Sequence, residues 1–213
     1  MMPPVDFRLY LVTDRHQTKG RPLRELLAQS LRAGVPAIQL RERDLETCDM
    51  LSLAREVQDL SQQHGAKLFV NDRVDVAEAV GTAGVHLRAD SLPVSAVRRL
   101  LGSTRWIGVS THSAQGVVQA EEEGADFAVL GPIYDTPSKR QYGAPLGLGV
   151  LEKASRCRRI PIFAIGGVTP ARVCEVRQAG AFGVAVISSI LSENDVEAAT
   201  RSLLDAITAA TPP

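Results

Sequence analysis

Cysteine is scarce: three residues in 213, at positions 48, 157 and 174. An odd number of widely separated thiols, none at metal-ligand spacing, argues against a disulfide framework and for a reducing cytosol. Cys48, Cys157 and Cys174 are expected to be packing residues. Net charge is absent as well, because 24 Lys and Arg balance 24 Asp and Glu in scattered order. No field of one sign favours a nucleic acid or an acidic membrane surface, so an anionic partner must be gripped locally. No uncharged apolar run is long enough to span a bilayer, and the opening MMPPVDFRLYLVTD has no basic region ahead of an apolar stretch. The expectation is a soluble cytoplasmic protein. Linkers and low-complexity segments are also lacking, and 45% hydrophobic residues over 213 positions suit a single domain, 1–213, around one substantial core.

What is present is repetition. Short apolar runs recur as RLYLVTD (8–14), AIQLRER (37–43), KLFVND (67–72), GVHL (84–87), RWIGVST (105–111), FAVLGPI (127–133), PIFAIGG (161–167) and GVAVISSI (183–190). Segments of helical period separate them, among them 23–34, 50–65 and 171–180, most closed by a glycine suited to end a helix. Eight strand-then-helix units imply parallel pairing by right-handed crossovers, and hence an α/β fold of the (β/α)8 TIM-barrel type. In such a barrel the residues just past each strand converge on one mouth. The expected mouth residues are Asp14, Arg41, Arg43, Asn71, Asp72, Asp90, His112, Lys139, Gly166, Gly167, Ser188 and Ser189.

Their chemistry divides by position. Gly166 and Gly167 after the seventh run, with Ser188 and Ser189 after the eighth, suit a backbone phosphate cradle, or else merely turn the chain and cap a helix. Gln39, Arg41 and Arg43 alternate, so one strand face would carry two guanidiniums toward a diphosphate or carboxylate; the plain alternative is ion pairing to Glu42 or Asp72. Asn71 and Asp72 could hold a magnesium ion, or Asp72 could cap the following helix. His112, after Ser110 and Thr111, is placed to move a proton, whereas His86, inside a run, is given no role. The long connection 134–147, with Lys139, reads as a lid over the mouth.

Taken together, YLVTD, QLRER, FVNDRVDVA, GVHL, GVSTHS, GADFAVLGPI with TPSK, PIFAIGGVTP and GVAVISSI resemble, in order and along nearly the whole chain, the thiamine-phosphate synthase and TenI family. The resemblance implies a (β/α)8 barrel in thiamine biosynthesis, with one of two reactions. Synthases join a pyrimidine diphosphate to a thiazole phosphate using Mg2+; TenI-type tautomerases aromatise a carboxythiazole phosphate without metal or other cofactor. For a synthase it implies Gln39, Arg41 and Asn71 on the pyrimidine diphosphate, Asp72 on magnesium and Lys139 on the diphosphate. It places Thr136, Ser138, Gly166, Ile187 and Ser188 on the thiazole phosphate; Ser110 and Gly167, from their places after the strands, are expected to line the same substrate site. Partners are then small molecules, with no nucleic acid and no membrane; a homo-oligomer is compatible with the chain.

Departures from the synthase pattern separate the branches. After GVHL synthases usually read Gly-Gln-x-Asp, the Asp being a second magnesium ligand; here Arg88-Ala89-Asp90-Ser91 puts serine at that position. Arg43 stands where Lys is usual, and Arg88 adds a cation. Arg-Glu-Arg after the second strand, with His112 as proton carrier, resembles TenI. The sequence therefore leans to a thiazole tautomerase with His112 and Lys139 catalytic. The alternatives are a magnesium-dependent synthase and a non-catalytic phosphate binder or regulator.

Overall fold

The structure, a computed structural model, describes residues 4–136, 144–156 and 159–210. Its strands are β1 (Leu9–Val12), β2 (Ala37–Leu40), β3 (Lys67–Asn71), β4 (Gly84–Leu87), β5 (Trp106–Thr111), β6 (Phe127–Leu130), β7 (Ile162–Ile165) and β8 (Gly183–Val186). They form a closed barrel in sequence order, all neighbours parallel, with β1 returning to pair with β8. Each expected run contains one strand. Most strands are shorter than their runs, because polar residues such as Arg41 and Asp72 leave the strand to build the mouth; β4 fills its run and β5 lacks only Arg105.

Around the barrel lie α1 (Leu23–Arg32), α2 (Thr47–Gln63), α3 (Val74–Val80), α4 (Val94–Leu101), α5 (Ala114–Glu122), α6 (Gly147–Arg156), α7 (Pro170–Gln178), α8 (Ser188–Leu191) and α9 (Val196–Ala209). They cover the outer sheet face, so most strands are buried on both sides and read as continuous apolar runs rather than alternating ones. The helix-to-strand turns at Gly34, Gly124 and Gly180 have φ of +97°, +95° and +96°, a region that side chains disfavour. None of the described helices is long and apolar enough to cross a membrane. Cys48 and Cys174 are exposed free thiols rather than packing residues: both lie on the outward faces of their helices. Cys157 lies outside the described residues.

The barrel interior is filled by rings. Phe7, Tyr10, Phe69, Phe127 and Phe163 are fully buried, and Phe7 stacks on Phe163 with centroids 5.2 Å apart. Small residues on neighbouring strands make the space: a Cβ at Gly108 would lie 2.3 Å from Phe127 Cζ and 2.7 Å from His86 Nδ1. This is the large-beside-small filling that a closed eight-stranded barrel requires. Gly108→Ala is therefore expected to overpack the interior, at a cost of about 1–3 kcal/mol. Thermal denaturation should show a midpoint lower by about 3–10 °C; an unchanged midpoint would mean that the ring layer is loose.

Candidate active site

The rim after β2 carries the first cluster. Gln39 is buried and donates to Tyr10 Oη at 3.4 Å, while Tyr10 holds its proton because burial pushes its pKa well up. β2 ends at Leu40, so the expected alternation stops there: Arg41 is half-buried, and Arg43 lies in the exposed turn beyond the strand. The proposed ion pairs to Glu42 and Asp72 do not form. Glu42 is buried and accepts from the Thr13 hydroxyl at 2.6 Å and the Arg15 backbone N–H at 3.1 Å, with Arg15 Nη1 at 3.4 Å. Among the described residues, neither guanidinium of Arg41 and Arg43 has a carboxylate partner within ion-pair distance. Burial lowers the Arg41 pKa, and repulsion from Arg43 and Arg88 adds to this against attraction from Asp14 and Glu42. Three cations thus share this side of the mouth, an arrangement that calls for an anion.

The second cluster joins β3 to β4. Asp72 follows Asn71 with φ of +58°, an uncommon conformation for a residue with a side chain. Its backbone N–H donates to His86 O at 2.9 Å, extending the β3–β4 ladder by one residue. Asp72 does not cap α3, whose N-cap is Arg73 without a side-chain bond. Instead Oδ1 accepts the Arg88 backbone N–H at 2.9 Å, while Oδ2 pairs closely with Arg88 Nε and accepts Asn71 Nδ2 at 3.3 Å.

That arrangement bears on the magnesium site which the resemblance implies. Magnesium takes hard oxygen ligands at near-octahedral geometry, usually including one or two carboxylates. Here both oxygens of Asp72 are already engaged, and the second carboxylate position is Ser91. Asp90 is 77% exposed, with its nearer oxygen 3.5 Å from Arg88 Nε. Among the described residues no three His, Cys, Asp or Glu side chains gather as a metal group. The residues present do not fit a two-aspartate magnesium site.

His86, given no role from the sequence, lies beneath this rim. It is fully buried against Tyr10 and Phe127, with ring centroids 5.8 Å and 5.9 Å away, and Nε2 is 2.9 Å from Ser110 Oγ. Burial drops its pKa to about 3, opposed by Asp72 and deepened by Arg41, so the ring is neutral. Nδ1 is buried without a partner, which disfavours a proton there. The Nε2 proton is then given to Ser110, leaving the Ser110 hydroxyl hydrogen to point elsewhere. The signal that could have found His86 is parity: it pairs in register with Asn71 and so faces inward with it. His112 is exposed, with Nδ1 2.6 Å from Gly131 O. A carbonyl only accepts, so the neutral ring carries its proton on Nδ1 and presents a free Nε2.

On the opposite side, the turn after β7 places Gly166 at φ +97° and Gly167 at φ +68°. Gly166 O accepts Tyr134 N–H at 3.0 Å, and Gly167 O accepts Arg172 Nη1 at 2.7 Å, so the carbonyls are held back by the scaffold. After β8, Ile187 is the N-cap of α8; Ser188 is exposed, and Ser189 donates instead to Val168 O at 2.6 Å. The β8 end is thereby tied to the β7 loop. Thr136 is half-buried, and its hydroxyl is shielded without a partner among the described residues. Ser138 and Lys139, with half of the expected lid, lie outside the described residues.

The comparisons agree on one family. A family profile described as Thiamine monophosphate synthase matches residues 9–190. A protein of Geobacter sulfurreducens named putative thiamine-phosphate synthase is 47% identical over 203 residues, covering 95% of each chain. The thiamine-phosphate synthase of Chloroflexus aurantiacus is 42% identical over 199 residues, 93% of this chain and 92% of its own. Among solved structures, thiamine phosphate pyrophosphorylase from Pyrococcus furiosus superposes with a TM-score of 0.87 at 32% identity, over 95% of this chain and 96% of that one. These names support the synthase alternative and give no support to the tautomerase to which the sequence leans.

Proposed function

Because this chain belongs to the thiamine-phosphate synthase and TenI family, we propose that it is a synthase, joining a pyrimidine methyl diphosphate to a thiazole phosphate and releasing diphosphate. The observation that carries the reading is the cluster of Arg41, Arg43 and Arg88 at one side of the mouth, with Arg41 and Arg43 lacking carboxylate partners among the described residues. A leaving diphosphate is the ligand class with enough charge to answer it. The names of the relatives point the same way.

In this reaction the methylene carbon–oxygen bond breaks, and its electron pair departs with the diphosphate. The lone pair of the thiazole nitrogen then forms the new carbon–nitrogen bond, leaving a positively charged ring. No proton moves, so the reaction assigns His112 no transfer. Arg41 and Arg43 stabilise the charge gathering on the diphosphate, and Gln39 and Asn71 orient the pyrimidine beside Ser110. The loops at Gly166, Gly167, Ile187 and Ser188, with Thr136, hold the thiazole phosphate so that its nitrogen faces the methylene carbon. Ser138 and Lys139 join these ligands by resemblance to the family. Magnesium is assigned no part here.

The test is an assay of the purified protein with each substrate set. Condensation with release of pyrophosphate is the expected outcome, and His112→Ala should retain it within about tenfold, less than the loss expected for removing a proton carrier. Isomerisation of carboxythiazole phosphate without condensation, abolished by His112→Ala, would instead establish the tautomerase.

A further inference from the structure

We propose that Arg88 replaces the metal ion in this chain: its guanidinium, held by Asp72, binds the substrate diphosphate directly, so that diphosphate binding does not require a divalent cation. The proposal rests on the synthase reading and deepens it.

Three observations meet at one place. The Arg88 backbone N–H donates to Asp72 Oδ1, and Arg88 Nε lies in close ion-pair contact with Oδ2 without hydrogen-bond geometry, so both carboxylate oxygens that a metal would take face Arg88. Its Nη1 and Nη2 groups donate no hydrogen bond to a described residue, and the side chain is 36% exposed. The guanidinium thus meets Asp72 on its Nε side and keeps Nη donors for a ligand. Its charge reaches Arg41, so the free end belongs to the cationic side of the mouth rather than to the outer surface.

Charge bookkeeping agrees. Two aspartates and a divalent ion sum to zero; so do Asp72 and Arg88, with Ser91 adding no charge and Asp90, 77% exposed and 3.5 Å from Arg88 Nε, turned to solvent. Losing the second carboxylate and gaining the guanidinium are therefore one compensated change. A planar guanidinium presents paired N–H donors that match two phosphate oxygens, as a bridging ion would. The uncommon conformation at Asp72, φ +58°, holds its carboxylate under Arg88, and Asn71 braces the same oxygen.

The experiment uses inorganic pyrophosphate as the probe and calorimetric titration as the readout, in EDTA and in excess Mg2+. Pyrophosphate is expected to bind the unaltered protein in EDTA, with an affinity within about threefold of that in Mg2+. Arg88→Ala should weaken binding in EDTA at least tenfold, and Arg88→Lys, which keeps the charge but not the fork, should fall between. Thermal melts without ligand check that each variant folds. The double variant Arg88→Gly with Ser91→Asp should bind pyrophosphate only when Mg2+ is present, which a merely structural Arg88 would not predict. Binding that needs Mg2+ in the unaltered protein and ignores Arg88→Ala overturns this proposal and leaves the synthase reading standing. Failure to bind pyrophosphate in either buffer removes the synthase reading and this proposal together.

Discussion

Replacing Arg41 by alanine is expected to lower kcat/KM for condensation by two to three orders of magnitude while leaving the free protein as stable as before, or more so. Removing one partner of a close charge–charge contact costs about 2–5 kcal/mol, or roughly 30- to 4,000-fold in rate or affinity. Arg41 belongs in this class because it is half-buried, its pKa is lowered by burial first and then by Arg43, and no carboxylate lies within ion-pair distance among the described residues, Asp14 and Glu42 attracting it only from farther away. Without ligand that grouping is a strain on the fold, so truncation should relieve repulsion. Arg41→Lys should recover part of the rate, since the charge returns without the planar fork. Steady-state kinetics beside thermal melts check this. A lower melting midpoint with unchanged kinetics would make Arg41 a structural residue.

The same rim explains what could and could not be read in the sequence. Eight apolar runs separated by helical segments determine the barrel, because closure of parallel strands leaves few alternatives for such a pattern. The mouth residues follow from strand ends, so Asp72, His112 and Gly166 were legible by position. Pairing was not. Whether Arg41 or Arg15 meets Glu42 depends on how two loops far apart in sequence fold over each other, and the structure gives Glu42 to Arg15 and Thr13. The same limit hid the reach of Arg88 back to Asp72, sixteen residues earlier across neighbouring strands. His86, expected without a role because a histidine within an apolar run looks like filling, also has a polar contact that the run does not show. It does fill the interior, yet the atom it turns upward meets Ser110. The lean to a tautomerase rests on Arg-Glu-Arg after the second strand and His112 as proton carrier, beside Arg88 and Ser91 as departures from the synthase pattern. Considered together with Asp72, Arg88 and Ser91 form a charge-neutral replacement, which is compatible with a synthase.

Gly166→Val should separate the two halves of the mouth. At φ +97° a β-branched residue is strained, and even a Cβ would lie 2.6 Å from Pro132 Cβ and 2.7 Å from Pro132 Cα, against a segment fixed by the Ile133 N–H to Ile165 O bond at 2.8 Å. The β7 loop must therefore shift, carrying its backbone away from the position a phosphate would occupy. A displacement of about 1 Å in a positioning element can cost about a hundredfold. The expected result is a KM for thiazole phosphate raised at least tenfold and kcat lowered as well, with a melting midpoint reduced by the strain. Pyrophosphate affinity should stay within a factor of two, because Arg41, Arg43 and Arg88 lie on the β2 and β4 side of the barrel, away from β7. Ser188→Ala, which leaves the turn intact and removes one exposed hydroxyl, should raise that KM only a fewfold. If Gly166→Val weakens both ligands equally, the loop is acting through the stability of the whole barrel. If it lowers the melting midpoint yet leaves the KM for thiazole phosphate unchanged, the glycine pair only turns the chain and the phosphate is held elsewhere.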